Sequence, residues 1–304
     1  MKIMHIGKYY PPYLGGMETV LRNLTEGLLD RSCDVTVLTA GSDFVEKRET
    51  VSGPESGREG ELVRAAVHGH FNSQPLTLNL AGLIRREIVG RDPDLVHLHL
   101  PNPLAAAAWL ALSFSGTVDL PPLAVWYHAD ITRQRLGRVL VKPVIDGCLE
   151  KAAGISVSSA TLADNSPVLA RWRNRTRVIP FGIDPHPWVD VESSLDGPFL
   201  FVGRLVPYKG LEFLIDAMGR LHDVELVIIG EGPLQDQLAA RAVRTGCSSR
   251  IHFVGPMDQD GVAAHLSRAR ALLLPSVDAS ETFGLVQLEA MAAGVPVIAS
   301  DIPT

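Results

Sequence analysis

Short runs rich in Val, Ile and Leu alternate with stretches of helical period along this chain, and that alternation restricts what it can fold into. Lys2–Gly7, Asp34–Thr39, Leu95–His99, Leu123–Tyr127, Gly154–Val157 and Val178–Pro180 read as strands, and Gly16–Leu29 carries the apolar period of a helix. Beyond an irregular segment the pattern resumes. Strands at Phe199–Val202, Glu225–Ile229, Ile251–Val254 and Ala271–Leu274 alternate with helices at Gly210–Arg220, Leu234–Thr245 and Gly261–Ala269. Strands that are apolar on both faces and separated by helices form parallel sheets covered on both sides. The intervening segment, from Asp184-Pro185-His186-Pro187 to Asp196-Gly197-Pro198, is Pro-rich, acidic and without period, so it reads as a linker. The expected architecture is α/β: two doubly wound Rossmann-like domains, 1–185 and 198–304, joined by 186–197 and facing across a cleft. Ligands of such sheets bind at the carboxyl ends of the strands.

With 304 residues, 46% hydrophobic and 20% charged, the chain has enough core for two domains. Its net charge of −6 argues against non-specific nucleic-acid binding. The balance is +1 through Pro185 and −7 from His186 onward, so a phosphorylated ligand of the second half needs local cations. Cys33, Cys148 and Cys247 are odd in number and in no metal spacing, and they read as reduced thiols of a cytosolic protein. The N-terminus reads as a strand and not as a signal peptide. Leu104–Phe114 is apolar but far shorter than the ~20 residues of a membrane span, so a soluble chain is expected.

The densest signal is Ser280-Glu281-Thr282-Phe283-Gly284-Leu285, a loop that turns into a helix ending at Gly294 and leads into the strand Val295–Ala299. Glu281 precedes the helix, where unpaired N–H groups and the positive dipole end favour a phosphate or a sugar hydroxyl. Glu289 lies on the helix body, about 9–12 Å further along at ~1.5 Å per residue. That span suits the two ends of a sugar nucleotide. Gly203-Arg204 to Lys209-Gly210 follows the first strand of the second domain. Arg204 offers a planar fork matched to phosphate oxygens and Lys209 a mobile point charge, which together make a diphosphate clamp.

Other positions carry weaker signals. Gly15-Gly16 opens the first helix and presents bare N–H groups to an anion, although a tight turn explains the pair as well. The Gly-x-Gly-x-x-Gly fingerprint is absent there, which disfavours a dinucleotide cofactor and a dehydrogenase. His128 ends a strand and points into the cleft, where it could donate a hydrogen bond or share a proton. His97 and His99 share one strand face but have no evident third ligand, so no metal is expected. Glu231, in Gly230-Glu231-Gly232, either reaches a ligand or stands in a turn made by its glycines. Arg133, Arg135, Arg138 and Lys142 accompany Leu136, Val139, Leu140 and Val141, as an exposed helix or as a face for an anionic membrane. Ser42–Glu61 carries no readable pattern.

Taken together, Gly15-Gly16-x-Glu18, His128, Val178 to Asp184, Gly203-Arg204 to Lys209-Gly210 and Glu281-x7-Glu289 resemble the retaining glycosyltransferases of family four, with their two-domain GT-B fold. The resemblance spans essentially the whole chain. It implies that the first domain binds the acceptor, that the second binds a nucleotide sugar, and that transfer proceeds with retention and without a metal cofactor. Glu281 would hold sugar hydroxyls beside the N–H groups of Phe283, Gly284 and Leu285, and Glu289 the ribose hydroxyls. Arg204 and Lys209 would neutralise the leaving diphosphate, Gly16 would donate to it, and His128 would contact the donor sugar near the reacting carbon. In relatives a final helix crosses back onto the first domain, so the second domain is expected to be incomplete at Thr304. Tyr127-His128-Ala129-Asp130-Ile131 and Ser300–Thr304 are similar to bacterial enzymes that extend polyprenyl-diphosphate-linked oligosaccharides, often from GDP-mannose. That similarity implies a cytoplasmic enzyme touching the inner membrane face, with a glycan or lipid-linked oligosaccharide acceptor. A donor-binding module without turnover and a sugar-nucleotide epimerase are the alternatives.

Overall fold

The computed structural model describes residues 1–13, 15–71, 74–131, 135–189 and 196–302, with the side chains of 135–140 and 189 outside the description. The chain forms two compact units, Met1–Pro180 and Phe181–Thr304. Each is a sheet with helices on both faces.

In the first unit β1 (Lys2–Ile6), α1 (Gly16–Asp30), β2 (Asp34–Ala40), β3 (Lys47–Ser52) and β4 (Glu59–Ala65) come first. A short ribbon, β5 (His70–Phe71) with β6 (Gln74–Pro75), leads to α2 (Leu80–Arg91), β7 (Leu95–Leu100) and α3 (Pro103–Ser115). β8 (Leu123–Tyr127), α4 (Arg135–Lys151), β9 (Gly154–Val157), α5 (Ala160–Asn165) and β10 (Thr176–Val178) complete it. The strand order is β10-β9-β8-β7-β1-β2-β4-β3, parallel except for the edge hairpin of β3 and β4. Apolar runs supply both faces. Met4, Ile6 and Leu98 pack with Ile84, Trp109 and Leu149 from α2, α3 and α4. On the other face, Ile3, Val35 and Val37 pack under Leu21 and Leu29 of α1. The chain leaves β1 in opposite directions to β2 and β7, so the switch point lies between β1 and β7.

The second unit contains α6 (His186–Val189), β11 (Phe199–Val202), α7 (Leu211–Met218), β12 (Leu226–Ile229), α8 (Gln235–Arg244) and β13 (Ile251–Gly255). α9 (Gln259–Leu266), β14 (Ala271–Leu274), α10 (Leu285–Ala292) and β15 (Val297–Ala299) follow. Its all-parallel order is β13-β12-β11-β14-β15, which puts the switch point between β11 and β14. Phe201 and Ile228 pack with Leu211, Ile215 and Leu238 on one side of this sheet. Leu200 and Leu272 pack with Trp188, Leu266 and Ala290 on the other.

The segment without a readable pattern holds the hairpin of β3 and β4. β3 is polar and exposed along an edge, so it has no apolar face to betray it. Residues 186–189 of the expected linker form the short helix α6, anchored by the buried Trp188. The three cysteines are buried and free, and the Cys148 thiol is pushed up to about 12 by burial. No helix among the described residues is long and apolar enough to cross a membrane.

Candidate active site

The second switch point gathers Lys209, Ser276 and Glu281. Glu281 Oε2 accepts from Lys209 Nζ at 2.5 Å and from Ser276 Oγ at 2.7 Å. Lys209 and Glu281 are each 8% exposed and Ser276 is 1% exposed, so an ion pair with a third donor stands in a largely dry setting. Such a pair is held by the fold, because its charges resist burial unless all their hydrogen bonds are made. The glycines explain how the chain reaches this geometry. Gly210 sits at φ +66°, and a Cβ there would lie 2.1 Å from the carbonyl oxygen of Pro275. Only glycine therefore lets the turn carrying Lys209 lie against the end of β14. Gly230, at φ +128°, likewise allows the loop after β12 to touch Gly203, whose oxygen a Cβ would meet at 2.1 Å.

Arg204 is exposed on the loop after β11 and makes no ion pair among the described residues, which leaves its fork open to solvent. Glu231 is also exposed, while its backbone carbonyl accepts from Leu205 N–H at 2.9 Å. Gly230 and Gly232 let that turn lie against the Gly203 and Leu205 backbone. Gly284, at φ +71°, immediately precedes α10, and the helix runs to Ala292 with Gly294 at φ +70° just beyond. Phe283 packs edge-on against Phe181 with ring centroids 5.1 Å apart. Glu289 lies half-buried along the body of the same helix.

In the first unit His128 follows β8, tied by its N–H to the Leu100 carbonyl at 2.8 Å. Tyr127 and Ser166 both donate to Asp130 Oδ1 at 2.7 Å and fix the turn beyond it. His128 is 2% exposed, and burial, reinforced by His97, holds its pKa down at about 3. It is therefore neutral near pH 7. Gly16 is exposed at the start of α1, and a Cβ there would meet nothing within 4 Å, so the helix end is open to approach. At Gly15 a Cβ would lie 2.4 Å from a Glu18 carboxylate oxygen, which places that buried carboxylate beside the helix start.

Sequence reasoning found no third partner for His97 and His99; the structure supplies one. His5 of β1 is in register with His97 of β7, and one ring nitrogen from each of the three histidines lies within 4.8 Å of the others. A strand pairing across about ninety residues left no local signal. Ser276 was missed for the same reason, its one cue being its place just after β14. A cavity of about 650 Å³ opens at the amino ends of the first sheet, lined by Arg48, Glu61 and Arg91 among others. Its arginines are already paired, Arg48 with Glu61 at 3.1 Å and Arg91 with Glu87 at 2.9 Å. That leaves it poorly suited to phosphate. Of the proposed membrane face, Arg133 and the side chains of Arg135 and Arg138 lie outside the described residues, and exposed Lys142 pairs with Asp146 one turn on.

Residues 14–186 match the model of Glycosyltransferase Family 4, and residues 197–304 that of Glycosyl transferases group 1. The chain is 33% identical to the D-rhamnosyltransferase WbpZ of Pseudomonas aeruginosa, covering 100% of this chain and 78% of that one. It is 30% identical to the O-antigen chain mannosyltransferase C of Escherichia coli, covering 100% and 80%. Among solved structures, sucrose-phosphate synthase from Thermosynechococcus elongatus superimposes with TM-score 0.78 at 21% identity, over 99% of this chain and 81% of that one. Anabaena HepE, in complex with UDP and glucose, gives 0.71 at 20% identity, over 99% and 81%. These structural neighbours share the GT-B fold. The chain is a glycosyltransferase and belongs to family 4 of that class.

Proposed function

We propose that this glycosyltransferase moves a hexose, with retention, from a nucleotide sugar to a glycan or polyprenyl-diphosphate-linked oligosaccharide in surface polysaccharide synthesis. Mannose from GDP-mannose is the favoured donor and a UDP-hexose the next. The observation that carries the reading is the buried Lys209–Glu281–Ser276 group at the switch point of the second sheet. The mannosyltransferase among the two relatives named above supports the choice of sugar, and the other is a D-rhamnosyltransferase. Residues 1–185 bind the acceptor and 198–304 the donor. The peptide N–H groups of Phe283, Gly284 and Leu285 receive sugar and phosphate oxygens, Glu289 takes the ribose hydroxyls, and Glu231 borders the donor.

In the reaction the bond from the anomeric carbon to the diphosphate oxygen breaks, and the acceptor oxygen bonds to that carbon on the same face. The acceptor proton passes to the departing phosphate oxygen. Arg204 and Lys209 stabilise the charge growing on that group, the kind of electrostatic assistance that dominates such transfers. Gly16 N–H and His128 serve the same donor. No step calls on a metal cofactor. Contact with an anionic membrane at the cytoplasmic surface, through the basic sequence Arg133, Arg135, Arg138 and Lys142, is part of the same proposal.

The reading is tested by calorimetry of GDP, UDP and ADP, each with and without its sugar, followed by mass spectrometry of a lipid-linked acceptor. Preference for one base with a hexose mass added to the acceptor is the expected result. Donor binding without transfer would favour a binding module, and isomerised donor without acceptor would favour an epimerase. Arg204→Ala should weaken nucleoside diphosphate binding about tenfold more than nucleoside binding, since a charged hydrogen bond to phosphate contributes roughly 1.5–3 kcal/mol. An unchanged ratio between the two ligands would refute the clamp.

A further inference from the structure

We propose that His5, His97 and His99 bind a divalent transition-metal ion of the zinc class, at a site in the first unit that takes no part in the transfer step. The three residues stand on two adjacent parallel strands in the middle of the sheet. His5 of β1 is paired in register with His97 of β7, and His99 lies two residues further along β7, on the same face. Ligands carried by strands are held more precisely than ligands carried by loops.

The three rings already form a triangle. Their centroids are 5.1 Å apart for His5 and His97, 5.4 Å for His5 and His99, and 4.8 Å for His97 and His99. Three imidazoles around one tetrahedral ion, with nitrogens about 2.0–2.1 Å from it, place their centroids about 5 Å apart. His5 Nδ1 and His99 Nε2 are separated by 3.2 Å. Two ligand nitrogens of such an ion are separated by about 3.3–3.4 Å. One nitrogen from each ring lies within 4.8 Å of the others, so rotation of the half-buried His97 ring closes the set.

Protein hydrogen bonds leave this group incomplete. The His97 imidazole makes no hydrogen bond among the described residues, and the buried Nε2 of His5 has no partner among them. His5 is 0% exposed and His99 4%. Buried polar atoms are nearly always partnered, and a bound ion is one arrangement that accounts for an exception. His99 Nδ1 lies 2.9 Å from His128 Nε2, an outer contact of the kind that orients metal-bound imidazoles, which leaves Nε2 for the site. Burial keeps the three rings neutral near pH 7, so no proton has to be displaced by the metal.

The ligand set selects the ion. It contains neither carboxylate nor thiolate, so it disfavours magnesium and calcium, which take oxygen ligands, and suits zinc, nickel or copper. Three neutral ligands leave both charges of the ion uncompensated. The fourth position therefore takes hydroxide or a small anion, which enters past the half-buried His97.

The test is calorimetric titration of the chelator-treated 304-residue chain with zinc chloride, followed by zinc X-ray absorption of the loaded chain. The expected result is one zinc per chain, with the scattering of three imidazoles at about 2.0–2.1 Å, and no heat from magnesium chloride. His97→Gln should lower zinc affinity by about a hundredfold or more, since even an outer contact contributes about 10–100-fold. His70→Gln, at an exposed histidine of β5, should leave it unchanged. Zinc should also raise the urea midpoint of the unmodified chain and not that of His97→Gln. Fewer than three imidazoles around the zinc would mean adventitious surface binding and overturn the proposal, even if His97→Gln does not fold. So would unchanged affinity in a folded His97→Gln chain, or no zinc uptake at all. None of these measurements requires sugar transfer, so they decide the site independently of the transferase reading.

Discussion

Replacing Glu281 by Gln lowers the rate of sugar transfer about 10²–10³-fold, the effect of losing one transition-state contact of this kind. The affinity for nucleoside diphosphate changes by less than about tenfold, because the proposed function gives Glu281 the sugar end of the donor. Gln is the informative substitution. In the structure Glu281 accepts from Lys209 Nζ and Ser276 Oγ in a site where the carboxylate is 8% exposed. Gln preserves the volume and one acceptor oxygen while removing the charge. Ala would remove the counter-charge as Gln does and would also leave Lys209 Nζ and Ser276 Oγ without their acceptor beside a void, which would confuse unfolding with lost chemistry. The pairing also refines the clamp. Lys209 is paired with Glu281, so under the proposed function the carboxylate sets the charge of the clamp as well as holding sugar hydroxyls. Steady-state transfer and calorimetric binding on the same folded variant give the two numbers. Equal loss of both would remove the sugar-specific role from Glu281.

The fold was legible where burial leaves a continuous apolar run. Leu123–Tyr127, Gly154–Val157, Phe199–Val202 and Ala271–Leu274 are strands at the boundaries read from sequence, because strands covered on both faces need apolar residues throughout. The antiparallel hairpin escaped because β3 is exposed at a sheet edge, where polar residues cost nothing. α3 escaped because its exposed face is also apolar, carrying Ala107, Ala111 and the 76% exposed Phe114, which leaves no periodic stripe. Individual candidate residues could be named from their position at strand ends and helix starts. Their partners could not. Lys209 meets Glu281 across 72 residues, and His5 meets His99 across 94, contacts that only the strand order creates.

Lowering the pH from 7 to 5 destabilises the first unit by several kcal/mol. Burial holds His97 at about 4 and His128 at about 3, and it holds His5 and His99 well below 6.5. The unfolded chain takes up these protons near pH 6.5, while the native state takes them up only at lower pH. Between those values the unfolded state binds more protons, so native stability rises with pH. The contribution is complete above about pH 6.5 and is lost as pH falls toward the native values. Each histidine that stays neutral at pH 5 accounts for about 2 kcal/mol, from roughly 1.4 kcal/mol per pH unit. The carboxylates whose pKa values are held down, Asp30, Asp34 and Asp216 among them, start from 3.8 and act below this window. Urea unfolding at pH 7, 6 and 5, followed by tryptophan fluorescence, measures the slope. Trp109, Trp126 and Trp172 belong to the first unit and Trp188 to the second, so Trp188→Phe confines the signal to the unit that carries the histidines. A flat profile would mean that the imidazoles take up protons in the native state, and that burial does not keep the layer neutral.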